Sequence, residues 1–209
     1  WAHLDPDQAI ASAKAADAAG NPGLLAGVPV GVKDIIDTAN IPTTWGAEPF
    51  KDHVPTHNAW VVERLKTAGA VLIAKTSVGA LAYGDIWFGG TTKNPWNLKQ
   101  GSSGSSAGSS SGTAAGLFAF SLGTETYGSI VSPCMRCGTT GLRPTFGRVP
   151  RTGVMSLCWS LDKIGPICRS VADTALVLAV INGHDNSDPS SVDEPFNFDA
   201  NQNVRGLRV

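Results

Sequence analysis

The sequence predicts an α/β domain, and three observations carry that reading. Segments with apolar residues at helical spacing alternate with short apolar runs of strand length, the pattern of helices packed on a sheet. The chain is 42% hydrophobic and only 16% charged, against about 25% charge in an average globular chain. Gly 24 and Pro 13 punctuate the runs, together well above the roughly 12% of an average chain. Ample apolar surface with little charge excludes a disordered segment, and 209 residues suit one domain or a large part of one. A net charge of -1 gives no electrostatic case for nucleic acid. The longest aliphatic stretch, Ala175 to Ile181, is too short to cross a bilayer.

Taken in order, Asp5 to Ala19 carries Ala and Ile at helical spacing and ends at Gly20, a helix with a glycine stop. Leu24 to Val32 reads as a short strand broken by Pro29 and ending in Lys33-Asp34. Residues 37–57 are rich in Pro, Thr and Gly and read as a long loop, followed by a helix from Asn58 to Ala68 with Gly69 as its stop. Ala70 to Ala74 has strand length and ends at Lys75, and residues 84–100, with Gly89-Gly90 and Asn94-Pro95, read as another loop. Residues 101–112 are almost pure Gly and Ser; 113–120 turn apolar, and Tyr127-Gly128-Ser129-Ile130 makes a tight corner. Ser170 opens a further helix with Asp173 in capping-box position, Leu176, Val180 and Ile181 on its apolar face and Gly183 at its end. Val204 to Val209 reads as the start of a strand, and the chain opens on Trp1 with no leader pattern. Both ends therefore read as cut, the mark of a segment of a longer protein or of one that needs a partner chain.

Four cysteines lie in the second half, and Cys134-Met135-Arg136-Cys137 has CxxC spacing. Zinc would need two further ligands, which His3, His53, His57 and His184 do not supply at suitable spacing, so buried reduced thiols in a cytoplasmic protein are expected. The Ser/Gly stretch could be a flexible linker, but apolar segments begin within a few residues of it. Packed against a core, it offers backbone N–H groups and hydroxyls at close approach. It contains neither GxxxxGK[ST] nor GxGxxG, which leaves a hydroxyl relay as its use. Such a relay needs a base, and no histidine is suitably placed. Lys33 can serve if burial lowers its pKa; the alternative is a strand-end lysine reaching solvent.

Four motifs in order then carry a resemblance: Gly27-Val28-Pro29-Val30-Gly31-Val32-Lys33-Asp34, the Ser/Gly loop, Gly123-Thr124-Glu125-Thr126-Tyr127-Gly128-Ser129-Ile130, and Gly141-Leu142-Arg143-Pro144-Thr145. From about Leu24 to Gly183 the chain resembles the amidase signature family. The resemblance implies a mixed β-sheet core flanked by helices on both faces, present here as an incomplete segment, with residues 1–209 a catalytic core truncated at both ends. It implies a Ser-Ser-Lys triad: Lys33 as base, Ser129 as nucleophile, and a bridging serine in the Ser/Gly loop. Two serine pairs compete for the bridging position, Ser102-Ser103 and Ser105-Ser106. Ungapped alignment through Gly116-Leu117 and Gly123-Thr124 selects Ser105, 24 positions before Ser129. The Gly104–Ser105 peptide would then be cis, and the backbone N–H groups of Thr126, Tyr127, Gly128 and Ser129 would form the oxyanion hole.

Three departures from the family pattern stand out. Tyr127 replaces a glycine, which would strain a position needing positive φ or otherwise let the ring narrow the pocket. Glu125 replaces an aspartate and Val131 an arginine, two changes that look coupled, since losing one side of an ion pair leaves an unpaired charge. The expected function is hydrolysis of an amide C–N bond, carbamate or urea included, with no cofactor and no metal. The expected partners are a small-molecule amide and either a second copy or the rest of a longer chain, with no membrane and no direct nucleic-acid contact. The alternatives are the glutaminase (A) subunit of a tRNA-dependent amidotransferase and a catalytically silent scaffold.

Overall fold

Short aliphatic runs bounded by glycine and proline assemble into one six-stranded sheet in the computed structural model, which describes residues 1–20 and 23–208. The chain opens with β1 (His3–Leu4) and α1 (Pro6–Ala19), the helix capped by Asp5, which accepts from Gln8 N at 3.0 Å, and stopped by Gly20 at φ 55. Next come β2 (Pro29–Lys33), α2 (Trp60–Thr67) and β3 (Val71–Thr76), then two small hairpins made of β4 (Ile86–Trp87), β5 (Gly90–Thr91), β6 (Lys93–Asn94) and β7 (Asn97–Gly101). The second half holds α3 (Ala107–Ala114), β8 (Phe120–Glu125), α4 (Val131–Cys137), β9 (Thr140–Gly141), β10 (Lys163–Cys168) and α5 (Val171–Ile181). Ser170 caps α5 by accepting from Asp173 N at 3.1 Å, as the capping pattern predicts.

The sheet order is β1-β3-β2-β8-β10-β9. Strand β2 runs parallel to both β3 and β8, while β10 is antiparallel to β8 and β9, so the sheet is mixed. Side chains alternate across each strand. Val30 and Val32 of β2 join Leu122, Ile164 and the buried faces of α2 (Val61, Val62, Leu65) and α5 (Val177, Leu178, Ile181) in the main core. Gly31 faces the other way, where a Cβ would meet the Phe118 ring at 2.8 Å and α3 lies close. Two residues on, Lys33 follows Gly31 to the α3 face, and this parity brings its amine to the Ser/Gly segment.

Four expectations are corrected. The first long strand begins at Pro29 rather than Leu24, because Leu25 N and Gly27 N bond to the carbonyls of Ala68 and Gly69 and curl the chain into a turn. Residues 84–100 are not a plain loop but carry most of the two hairpins. The Ser/Gly stretch is a loop only to Ser106; from Ala107 it is helical, and its small residues allow α3 to press on the sheet. Residues 204–208 form no strand: they are exposed, lie beside no other strand, and close a turn through Leu207 N and Val204 O at 3.3 Å. Val209 lies outside the described residues.

Candidate active site

Three segments converge at the C-terminal ends of β2 and β8. Strand β2 delivers Lys33, the loop before α3 delivers Ser105 and Ser106, and β8 runs into the turn that holds Ser129. Lys33 is fully buried, and its Nζ lies 2.8 Å from Ser105 Oγ, 3.0 Å from Ser106 Oγ, 2.7 Å from Thr124 Oγ1 and 3.2 Å from Thr124 O. All four are uncharged oxygens. Burial holds the Lys33 amine well below the ordinary lysine pKa, with the carboxylates of Asp162 and Glu125 pulling more weakly the other way.

The neighbouring strand supplies a contrast. Lys75 on β3 is also buried, but it lies 3.6 Å from the Asp34 carboxylate and donates to Ile36 O and Thr43 Oγ1, each at 2.6 Å. Burial again lowers the amine, only to about 8 because Asp34 opposes the shift, while burial raises the Asp34 carboxyl itself. Two buried lysines thus differ in what faces them, hydroxyls at Lys33 and a carboxylate at Lys75.

The Gly104–Ser105 peptide is cis, as the resemblance implied. A Cβ at Gly104 would lie 1.9 Å from Gly84 O, so only glycine fits there. Ser106 is committed within the cluster: its Oγ donates to Thr124 O at 3.0 Å and accepts from Thr124 N at 3.1 Å. Ser102, the rival in the other serine pair, donates to Ser103 O at 2.8 Å and makes no bond to Lys33.

The Ser129 turn abuts this cluster, with Ser106 N donating to Ser129 O at 3.1 Å. The structure therefore brings Lys33 and Ser105 into contact and ties the Ser129 backbone beside them. It makes no hydrogen bond between the Ser105 and Ser129 hydroxyls, and Ser129 Oγ has no hydrogen-bond partner among the described residues. Positive φ falls on Gly128, at 97°, and not on Tyr127, a residue 95% exposed that stands away from the buried cluster. The N–H groups of Tyr127, Gly128 and Ser129 have no partner among the described residues.

Glu125 is 2% exposed, and its Oε2 accepts from Ile130 N at 2.8 Å and Val131 N at 2.9 Å. Arg143 Nη1 stands 3.7 Å from its Oε1, so a cation other than the missing arginine at 131 faces this carboxylate. Thr124 and Ser106 as partners of Lys33 escaped the sequence reading, although both stand inside the quoted motifs. Beyond Thr124 a narrow cleft opens between Ile35, Met155, Leu157, Trp159 and Ile164. Cys134 and Cys137 are buried, burial pushes both thiols up, and the described residues contain no cluster of three or more metal-ligating side chains. No helix among them is long and apolar enough to cross a membrane.

Comparison with known proteins follows the same lines. The amidase family description matches residues 1–209. The glutamyl-tRNA(Gln) amidotransferase (A) subunit of Roseiflexus sp. is 43% identical over 215 aligned positions, covering 99% of this chain and 44% of that protein. The peptide amidase of Stenotrophomonas maltophilia superposes with a TM-score of 0.85 at 35% identity, over 94% of this chain and 42% of its own. The corresponding amidotransferase (A) subunit of Thermotoga maritima gives a TM-score of 0.80 at 35% identity, over 82% of this chain and 39% of its own. The chain spans less than half the length of these relatives. Since the family description runs along every residue of the chain and solved amidases share its sheet, this protein belongs to the amidase signature family.

Proposed function

We propose that this chain forms the core of an amidase that opens a C–N amide bond through an acyl-enzyme on Ser129, with Ser105 as the bridging hydroxyl and Lys33 as the base. The observation that carries the reading is the 2.8 Å contact between Lys33 Nζ and Ser105 Oγ, where the amine meets only uncharged oxygens. A neutral amine has two N–H donors and one lone pair. Ser106 Oγ and Thr124 Oγ1 take the two donors, and Ser106 cannot return a proton because its own goes to Thr124 O. Among the described residues Ser105 Oγ has no partner but Lys33 Nζ, so its proton is free to meet the lone pair.

In the forward step Lys33 takes the Ser105 proton, Ser105 takes the Ser129 proton, and Ser129 Oγ bonds to the carbonyl carbon. The oxyanion forms beside the unpaired N–H groups of Tyr127, Gly128 and Ser129, with Thr126 at the head of the same turn. As the C–N bond breaks, the leaving nitrogen takes a proton from Ser105, which recovers one from Lys33. Water then attacks the Ser129 ester, loses its proton along the same path, and releases the acid and free Ser129. In free enzymes such bonds are often long and tighten with substrate bound, which accommodates the open Ser105–Ser129 link. Reduced thiols fit a cytoplasmic setting.

A second reading has support in the 43% identity to an amidotransferase (A) subunit. Under it the same relay would release ammonia from glutamine beside partner subunits, and tRNA would enter through the assembly despite the net charge of -1 here. The test is covalent labelling with a fluorophosphonate, read by peptide mass spectrometry. One adduct on Ser129, lost in Ser129→Ala together with amide turnover, is the expected outcome; a folded chain without the adduct would favour the silent scaffold. Glutamine hydrolysis that appears only with added partner subunits would favour the second reading.

A further inference from the structure

Five consecutive N–H groups, those of Tyr127 to Val131, line the turn that leaves β8, and they have two fates. Those of Tyr127, Gly128 and Ser129 are left without partners among the described residues, while those of Ile130 and Val131 converge on Glu125 Oε2. The carbonyls of the turn are engaged at four positions: Thr126 O by Lys163 Nζ at 3.1 Å, Gly128 O by Ser132 N at 2.8 Å, Ser129 O by Ser106 N at 3.1 Å and Ile130 O by Cys134 N at 3.1 Å. A carboxylate reaching five residues forward thus closes the loop that carries Ser129 and pins the amides just after it. Glu125 is buried, and the cation facing it comes from Arg143, whose side chain is 53% exposed and lies just beyond β9. Val131, at the head of α4, is apolar and supplies no charge.

We propose that Glu125 and Arg143 form a positioning pair that sets the Ser129 turn, directing two amides inward to the carboxylate so that the preceding three face the reacting carbonyl. This rests on Ser129 being the nucleophile. Neither side chain touches substrate; the pair acts through the backbone of the turn. The carboxylate supplies the two acceptor contacts, and the guanidinium offsets the charge that burial makes costly.

The test compares Glu125→Gln, Arg143→Met and Arg143→Lys in the full chain by three readouts. These are the rate of fluorophosphonate labelling at Ser129, kcat and KM on a simple anilide, and the thermal midpoint. Glu125→Gln should slow labelling and kcat roughly 10- to 100-fold with KM within about twofold, the pattern of lost transition-state contacts. Arg143→Met should lower both rates about 3- to 10-fold, and Arg143→Lys should recover most of that, since one charge at 3.7 Å is all the pair requires. Folded Glu125→Gln and Arg143→Met chains that label at the parent rate would overturn the proposal. If Glu125→Gln does not fold, the two half-exposed Arg143 variants decide it alone. A parent chain unlabelled at Ser129 fails the nucleophile assignment first, and the pair with it.

Discussion

The two buried lysines allow a prediction with a worked magnitude. Lys75 has its amine lowered to about 8 by burial, against about 10.4 in an unfolded chain. Between those values the unfolded state binds more protons than the folded state, so stability rises with pH across that window. The penalty for holding Lys75 charged is fully present below about 8 and is relieved as pH approaches the unfolded value. At about 1.4 kcal/mol per pH unit this amounts to about 3 kcal/mol. Lys75→Met alone should destabilise the protein by about 3–5 kcal/mol near neutral pH, because it leaves the Asp34 carboxylate buried without its cation. The double variant Asp34→Asn with Lys75→Met removes both charges and should recover most of that loss. Urea unfolding at pH 7, 8, 9 and 10 checks both statements, with the double variant subtracting every other titration in the chain. The parent should gain stability relative to the double variant as pH rises from 8 to 10. A flat or falling difference would refute the idea that Lys75 is a desolvated, carboxylate-held cation.

The contrast with Lys33 predicts activity. Because burial lowers the Lys33 amine and only uncharged oxygens hydrogen-bond to it, the amine loses its proton at a pH where a surface lysine is charged, and amide turnover should rise with pH through a midpoint well below the ordinary lysine value. Lys33→Met should abolish both the rise and most of the turnover while leaving circular dichroism unchanged; a midpoint near that of a surface lysine would sink the base assignment. The close approach of α3 to the sheet predicts a packing cost. A Cβ at Gly108 would lie 2.5 Å from the backbone nitrogen of Ser77, so Gly108→Ala should cost about 1–3 kcal/mol despite alanine's better helix propensity. A thermal midpoint equal to or above the parent's would show that the interface yields.

Most of the fold and much of the site were legible along the chain. The helices of residues 6–19, 60–67 and 171–181 announce themselves through spacing, a capping side chain or a glycine stop, all properties of adjacent residues. The short hairpins of residues 86–101 carry no such pattern, since two-residue strands have too few positions to show alternation. The helix at 107–114 is hidden by its own composition: serine and glycine are poor helix formers, and they are helical there because small residues fit the narrow space above Ser77 and Phe118.

By itself the sequence determined the α/β class and the three helices of residues 6–19, 60–67 and 171–181, in that order. Those are local or counting properties that a linear chain carries intact. Tertiary structure alone decided that Lys33 faces hydroxyls while Lys75 faces a carboxylate, because strand parity and register place each amine, and burial then makes the neighbour decisive. It alone decided that Arg143 faces Glu125, a pairing across 18 residues that no spacing rule announces. Folding also gives the length a physical meaning. The 209 residues hold Lys33, Ser105 and the Ser129 turn around one sheet, in less than half the span of the relatives that share it.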